Sequence, residues 1–330
     1  MRRPEILPQR WNSFTLTPAL LRAEGIHPQR LRRGDIDRVS YGLYRQDADG
    51  LTPTMRAALL ARELPDCVIS DVTAARLLGL HPPWEVAGDD AVHLTQPAGT
   101  ARRIRRPGVT SHRREMTAGQ VRSHDGVLVT TPARTWFDLA SRCSVASLVA
   151  FGDQLVRMPR ESFEGRSDPY ATSGELAGIL EGAGRIKGKR RAEEALALIR
   201  VGADSFPETE LRLALMEAGL PEPDLQVPAD PAQKFSPCAD LGYPGLKIAI
   251  QYDGATHFSL SSSGGISAVT MRSSRRDGSS CVSTRWTRGM GSGRRWRESV
   301  LPPEPRCLLI WSLALELCGR RITVSAPRRG

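Results

Sequence analysis

Three acidic side chains in the second half of the chain have the types and spacing needed to bind a divalent cation. Glu208 lies in the first turn of a predicted helix, Asp240 lies in a predicted strand, and Asp253 lies at the end of the next strand. Two antiparallel strands with acids near one end, beside a helix that carries a glutamate, can gather three carboxylates. Mg²⁺ prefers such oxygen ligands and keeps several waters, one of which can attack a phosphodiester. The spacing therefore predicts metal-dependent cleavage of nucleic acid.

The elements that must position these acids carry clear local signals. Ser205 is typical of a helix N-cap, and Gly219 is typical of a helix end. Between them, the apolar residues Leu211, Leu215 and Met216 recur at helical spacing and predict a core-facing side. The segment CADLGYPGLKIAIQYDG then predicts two strands joined by a YPG turn.

From about residue 204 to residue 257, the chain resembles the very-short-patch-repair-like endonuclease domain, a branch of the PD-(D/E)XK nuclease fold. The resemblance implies that Glu208 is the helix carboxylate and Asp240 the strand carboxylate, both ligands of Mg²⁺. Gln251 stands where the family usually has its second metal-binding acid. A neutral amide offers a carbonyl oxygen but removes one negative charge, so we expect weaker metal binding.

The same resemblance covers the end of the motif. Asp253 stands at the place that a lysine occupies in the wider fold, and His257 would be the group that handles the proton. With Gln251 in the metal site, we expect an impaired enzyme and little cleavage of DNA.

The basic charge of the chain is concentrated after residue 257. The formal net charge is +10, and residues 258–330 contain 13 arginines, no lysine and four acids. From residue 259 to 300 this segment is rich in Ser, Gly and Arg and has almost no apolar period, which predicts a disordered basic tail. The resembled endonucleases continue here with a helix and a closing strand. A single restored base near codon 260 allows synonymous codons to spell both, so we hypothesise a one-base deletion that leaves the core incomplete.

The N-terminal segment predicts a winged helix-turn-helix. Thr17 is a plausible N-cap with Pro18 at the first helical position, and Gly25 ends the helix. A second short helix, HPQRLRRG, and a hairpin arm, DRVSYGLYR, follow. Three arginines of the second helix would face phosphates or guanine edges of DNA: Arg30, Arg32 and Arg33. The alternative is a domain that contacts protein and exposes these arginines to solvent.

This segment, together with TAARLLGLHPP and VLVTTPARTWFDLA, resembles the AbiEi-type antitoxin family over about residues 13–155. The resemblance implies an N-terminal winged helix that autoregulates transcription, and a cognate toxin as partner. No GxSxG, Walker glycine loop or HExxH occurs in this half. Four residues are interpreted as structural groups rather than ligands: Asp71, His81, His93 and His112.

Composition favours a cytoplasmic protein. No leader follows Met1, and the apolar stretch CLLIWSLALELC is too short to cross a bilayer. The six cysteines form no CxxC pair, so we expect reduced thiols. A basic cluster at residues 187–191 suits a solvated helix start as well as a DNA contact.

The predicted fold is α/β (α+β). We expect a winged helix-turn-helix at 1–60, an antitoxin-like α/β region at 61–157, a linker with helices at 158–203, a truncated restriction-endonuclease-like core at 204–257 and the tail at 258–330. The predicted function is DNA binding with a degenerate Mg²⁺-dependent endonuclease domain. The alternative is an antitoxin-like transcriptional regulator whose C-terminal half is a non-catalytic binding platform.

Overall fold

The computed structural model describes residues 7, 15–46, 51–64, 66–100, 103–233, 236–246, 248–253, 267–273 and 282–288. The fold is mixed α/β, as the sequence predicts. The chain divides into two compact units, the first made of Met1–Phe151 and Tyr170–Ala197 and the second of Gly152–Pro169 and Leu198–Gly330. The finer five-part division stays a prediction.

In the described residues, helices and strands are mixed up to residue 130 and are followed by a run of α-helices and then by a run of strands. The helices are α1 (Pro18–Ala23), α2 (Pro53–Glu63), α3 (Asp71–Leu77), α4 (Trp84–Ala87), α5 (Pro132–Leu139), α6 (Val145–Val156), α7 (Glu161–Glu164), α8 (Ser173–Glu181), α9 (Lys189–Leu198) and α10 (Phe206–Glu217). The strands are β1 (Asp37–Ser40), β2 (Leu43–Arg45), β3 (Val68–Ile69), β4 (Val92–Gln96), β5 (Val109–Arg113), β6 (Val121–His124), β7 (Val127–Thr130), β8 (Asp224–Pro228), β9 (Cys238–Tyr243), β10 (Ile248–Asp253), β11 (Ser267–Ser273) and β12 (Val282–Arg288).

The N-terminal segment contains a helix, a short helix and a hairpin in this order, and the winged helix-turn-helix stays a prediction. Thr17 caps α1 by accepting a hydrogen bond from the amide of Leu20 at 3.0 Å, and Gly25 ends the helix turn with φ +74°. The second helix, Pro28–Arg32, is a 3-10 helix of five residues rather than an α-helix. β1 and β2 pair antiparallel. A small apolar cluster holds the segment together: Leu7, Leu16, Leu21, Ile26, Leu31 and Ile36.

A mixed five-stranded sheet forms the centre of the first unit, with strand order β5-β4-β3-β7-β6. β4 is antiparallel to β3 and parallel to β5, and β7 is parallel to β3. Because β4 lies between two strands and is covered on its faces, all five of its residues are buried. Its sequence, VHLTQ, therefore places three polar side chains inside the protein.

Helix α5 supplies much of the apolar core of this unit. All eight of its residues are buried, and Thr131 caps it by accepting from the amide of Arg134. Trp136 is fully buried, and its indole N–H donates to the carbonyl of Leu148 at 2.9 Å. The ring thus adds a large apolar area to the core without leaving its one donor unpaired.

The second unit contains an antiparallel five-stranded sheet in the order β8-β9-β10-β11-β12. Ser205 caps α10, as predicted, and Leu215 of that helix is buried in the core cluster with Leu241 and Ile250. Gly242 allows the hairpin strands to approach, since a Cβ there would lie 2.7 Å from the carbonyl oxygen of Ile248.

The prediction of irregular coil after residue 257 is wrong for two segments. β11 pairs with β10 over six residue pairs from Ile248↔Ser273 to Asp253↔Ala268, and β12 pairs with β11. SAVTMRS and VSTRWTR contain β-branched and large apolar residues at alternate positions, a two-residue period that the bulk composition of the tail obscures. The sheet therefore continues past β10 in the frame of this sequence. The deletion near codon 260 stays a hypothesis about the gene, and residues 289–330 lie outside the described part.

None of the helices in the described part of the chain has the length and apolar character that a transmembrane span requires.

Candidate functional site

Arg30, one of the three arginines predicted to contact DNA, forms an ion pair with Asp35. Its side chain is buried, and its guanidinium donates two hydrogen bonds to the carboxylate of Asp35, at 2.8 and 2.5 Å. These bonds from Arg30 lower the pKa of Asp35 against the opposing effect of partial burial. A bidentate pair of this kind uses the guanidinium N–H donors that would otherwise bind a phosphate or a guanine. Arg30 thereby fastens the 3-10 helix to the turn that follows, and contact of Arg30 with DNA stays a prediction.

The two neighbouring arginines remain accessible. Arg32 and Arg33 are exposed, and so are Arg22 on α1 and Arg38 on β1. The guanidinium of Arg38 lies over the ring of Tyr41, 5.5 Å from its centroid. The segment thus presents several cations on its surface, and DNA contact by Arg32 and Arg33 stays a prediction.

In the second unit, Glu208 occupies the helix position predicted from the sequence. Its side chain is 6% exposed, one carboxylate oxygen accepts from the hydroxyl of Ser205 at 2.7 Å, and the other accepts from the amide of Asp204 at 2.9 Å. Burial raises the pKa of Glu208, and the negative charge of Asp240 adds to the rise. The same carboxylate therefore completes a capping arrangement at the start of α10 and lies within electrostatic range of the strand acid.

Asp240 and Gln251 meet on the hairpin of β9 and β10. The amide nitrogen of Gln251 donates to the carboxylate of Asp240 at 3.0 Å. Gln251 thus turns a donor toward the acid, whereas a metal ligand must turn its oxygen toward the cation. Asp253 is the last residue of β10, while its side chain, like all of His257, lies outside the described residues.

The donor set of this region fits Mg²⁺ only in part. Glu208 and Asp240 supply carboxylates, and Gln251 supplies an amide that is already engaged as a donor. Among the side chains that the structure describes, three groups of ligand type come within 4.8 Å of one another at a single place, and it lies in the first unit.

That place is formed by Asp71, His93 and His112, called here the Asp71 cluster. Asp71 is the first residue of α3 and is separated from the end of β3 by Ser70 alone. Its φ of +56° is unusual for a residue other than glycine. His93 lies on β4 and His112 on the adjacent parallel strand β5, where the register pairs Thr95 with His112. The two histidines are thus diagonal neighbours on one face of the sheet.

The distances inside the Asp71 cluster are short. Nδ1 of His93 lies 3.0 Å from Nε2 of His112, with the rings stacked at an interplanar angle of 26°. The same Nδ1 lies 3.6 Å from Oδ1 of Asp71. Burial lowers the pKa of His112 to about 4, and the charge of Arg114 adds to the effect. His112 is therefore a neutral imidazole at physiological pH.

Two charged side chains surround the Asp71 cluster. Nε2 of His93 lies 3.0 Å from the carboxylate of Asp89, and Arg142 donates both to Asp89 and to Oδ1 of Asp71, the latter at 2.6 Å. Oδ1 of Asp71 also accepts from the amide of Val72 at 2.7 Å, whereas its buried Oδ2 has no hydrogen-bond partner. One carboxylate oxygen is fully used and the other is available.

A second buried ionic group lies on α5. Nε of Arg134 donates to Asp138 at 2.8 Å, and Arg114 pairs with the same carboxylate. Arg134 also donates to the side chain of Gln120 and to the carbonyl of Glu115. This group ties α5 to the loop before β6 and is a structural feature. The i, i+4 spacing of Arg134 and Asp138 was the signal that could have revealed it in the sequence.

A comparison with protein families concerns the region that contains both buried groups. The model of a family described as the AbiEi antitoxin C-terminal domain matches residues 67–164. Two uncharacterized proteins of Mycobacterium tuberculosis, one from strain CDC 1551 / Oshkosh and one from strain H37Rv, are each 27% identical to the chain over 224 residues. Each alignment covers 68% of this chain and 76% of the relative. The segment from β3 to α7 is therefore similar to the C-terminal domain of AbiEi antitoxins.

Proposed function

We propose that this protein is an antitoxin-like transcriptional regulator, which binds DNA through its N-terminal segment and a cognate toxin through another part of the chain. The observation that carries the proposal is the match of residues 67–164 to the AbiEi antitoxin C-terminal domain. A module of that family is part of a toxin–antitoxin system, so a toxin is the partner that its presence implies. The match supports this reading over the catalytic one, since it covers none of the predicted nuclease residues.

The N-terminal segment supplies the charge that DNA binding requires. Within residues 15–46 there are six arginines and three acids, and four of the arginines are exposed. Arg30, which is buried, is neutralised by Asp35, so the exposed cations determine the surface charge. A short helix and an antiparallel pair of strands present them on one small apolar core. Such a surface contacts phosphates directly and can place arginines at base edges.

A binding assay tests the DNA half of the proposal. The full chain is titrated into fluorescently labelled duplex from the region upstream of its own gene, with a scrambled duplex as competitor. The double variant Arg32→Gln/Arg33→Gln should lose at least about tenfold in affinity, as expected when two phosphate or base contacts are removed. Arg62→Gln/Arg122→Gln removes the same charge from exposed sites outside the segment and should bind like the unaltered protein. Equal binding by both variants would exclude the N-terminal segment as the DNA contact.

The toxin half of the proposal has a separate readout. Co-expression of the chain with a toxin encoded in the same operon should restore growth, and Arg32→Gln/Arg33→Gln should restore it as well, because that change affects only DNA contact. A reporter driven by the upstream region should be repressed by the unaltered chain and derepressed by the double variant. Failure to restore growth, with repression intact, would leave a DNA-binding regulator and reject the antitoxin role.

Mg²⁺-dependent cleavage of DNA is a second candidate function. The observation in its favour is that Glu208 and Asp240 lie near each other, since the negative charge of Asp240 contributes to the raised pKa of Glu208. Asp240 and Gln251 on the hairpin, with Asp253 at its end and His257 after it, are the remaining groups that the endonuclease resemblance implies.

Nicking of supercoiled plasmid in the presence of Mg²⁺ tests this candidate. If the site is catalytic, Asp240→Asn should abolish nicking and Gln251→Glu, which restores an acid, should increase it. Asp240→Asn and Gln251→Glu are also made in a protein expressed from a gene with one base restored at codon 260. Comparison of the two sets separates the effect of Gln251 from the effect of the altered tail. No nicking by any of these proteins leaves the regulator as the function.

A further inference from the structure

We propose that Asp71, His93 and His112 bind a divalent transition-metal ion of the zinc type. The site lies in the first unit and does not depend on the regulator or the nuclease function. It consists of two imidazole nitrogens and one carboxylate, a ligand set that zinc and related first-row ions accept in proteins.

The ligand atoms lie at nearly the separations that such an ion needs. Bonds of 2.0–2.2 Å in a tetrahedral arrangement put neighbouring ligand atoms about 3.4 Å apart. Nδ1 of His93 lies 3.0 Å from Nε2 of His112. It lies 3.6 Å from Oδ1 of Asp71, which belongs to the same carboxylate as the Oδ2 that would bind the ion. The three ligand atoms lie within 4.8 Å of one another, so small side-chain rotations bring them to bonding distance.

His93 is oriented as a metal ligand usually is. Its Nε2 lies 3.0 Å from the carboxylate of Asp89 and 3.4 Å from a guanidinium nitrogen of Arg142. In the tautomer that donates from Nε2 to Asp89, the lone pair of Nδ1 points toward the Asp71 cluster. A ligating histidine in proteins commonly donates its other N–H to a carboxylate in this way. Asp89 is therefore a positioning residue for the site.

The free oxygen of Asp71 is an independent observation. The residue is fully buried, and Oδ2 has no hydrogen-bond partner although Oδ1 accepts from both Val72 and Arg142. A buried carboxylate oxygen without a partner is costly, and a bound ion or water is one of the explanations for such an atom in a native protein. An ion coordinated by this oxygen would satisfy it while Oδ1 keeps its two donors.

The charges around the site permit a cation. Asp71 and Asp89 carry two negative charges against the single positive charge of Arg142, which contacts both. Arg114, the next cation, is paired with Asp138. The surroundings therefore have a net negative charge before any ion binds, which favours a divalent cation.

An ion at this site would link neighbouring strands of the sheet. Asp71 follows β3, His93 lies on β4 and His112 lies on β5, so one ion would join three neighbouring strands of the mixed sheet at a single point. Three protein ligands leave a fourth position of a tetrahedral ion open to water or a ligand.

Titration with Co²⁺, whose visible absorption reports tetrahedral coordination, tests the proposal on the untagged full chain after treatment with a chelator. We expect one equivalent to bind, with a rise in Tm that Zn²⁺ reproduces. Asp71→Asn, in which asparagine tolerates the same backbone conformation, and His112→Gln should each weaken binding by about a hundredfold or more. Asp89→Asn should weaken it by about tenfold to a hundredfold.

Two matched controls complete the design. His81→Gln changes an exposed histidine outside the cluster, and Asp240→Asn changes the acidic region of the second unit. Both should bind Co²⁺ like the unaltered chain. Absence of saturable binding at one equivalent would overturn the proposal, and so would equal binding by Asp71→Asn and the unaltered protein. If His112→Gln fails to fold, as judged by circular dichroism, Asp71→Asn and Asp89→Asn decide the outcome.

Discussion

The guanidinium of Arg212 and the carboxylate of Asp153 form an ion pair at 2.9 Å with both side chains almost completely buried. Asp153 also accepts from the hydroxyl of Thr209 and from the amide of Arg200, and Arg212 also donates to Glu222. The pair thus connects α6 to α10 within the second unit, through a network in which most polar atoms have partners.

We predict that Arg212→Ala lowers the free energy of unfolding by about 3–5 kcal/mol, because it leaves Asp153 charged and buried without its cation. Urea denaturation followed by circular dichroism measures the change. Arg190→Ala, which breaks the exposed i, i+4 pair of Arg190 with Glu194, should cost no more than about 0.5 kcal/mol. If the two variants lost similar amounts of unfolding free energy, the buried pair would contribute no more to stability than the exposed one, and the prediction would be wrong.

A pH-dependent effect is expected at Asp35. The hydrogen bond from Arg30 lowers the pKa of this acid below its ordinary value of 3.8 in the folded protein. Its contribution to stability is therefore fully present above that ordinary value and is lost as the pH falls through the lower pKa of the folded state. Asp35→Asn should cost about 1 kcal/mol near pH 7, since the acid is half exposed. Thermal unfolding from pH 7 down to pH 3 should show the two proteins converging only in acid; a constant difference would contradict this.

Gly188 is a position where the backbone requires glycine. Its φ is +96°, and a Cβ there would lie 2.6 Å from the amide nitrogen of Ser141. We predict that Gly188→Ala lowers the free energy of unfolding by about 2–4 kcal/mol through strain and overlap. Gly34→Ala is the control, because nothing lies within 4 Å of its Cβ position, and it should change stability by less than about 0.5 kcal/mol.

The salt dependence of DNA binding gives a further measurement. Each phosphate contact contributes about 0.9 to the slope of log affinity against log salt concentration. If Arg32 and Arg33 each contact a phosphate, their double replacement by glutamine should reduce the slope by about 2. Replacement of Arg30 should leave the slope nearly unchanged, since its charge is already paired with Asp35. An affinity loss without a change in slope would indicate base contacts instead.

Local rules predicted the parts of the fold that depend on neighbouring residues. Thr17 and Ser205 cap their helices as expected, and β9 and β10 form where the apolar pattern places them. In each case the signal lies within a few residues of the element, where capping and periodicity operate.

Predictions that depend on distant residues were less successful. The convergence of Asp71, His93 and His112 was not predicted, because β4 and β5 are adjacent only through the sheet and no spacing in the sequence records it. The pairing of the buried Arg30 with Asp35 was not predicted either, because it depends on the turn between them. The strands β11 and β12 were missed because the composition of a long basic segment masked their short alternating patterns.

Each of the two units is made of two separate stretches of the chain, and this affects how truncated proteins should be designed. Residues 152–169 belong to the same unit as residues 198–330, although about thirty residues of the other unit separate them along the chain. A C-terminal fragment that begins at residue 158 or 204 would carry Arg212 but not Asp153, and would expose in its interior a cation with no anion. Insolubility or misfolding of such a fragment would follow from the loss of Asp153. It would therefore not show that the nuclease-like sequence is unable to fold.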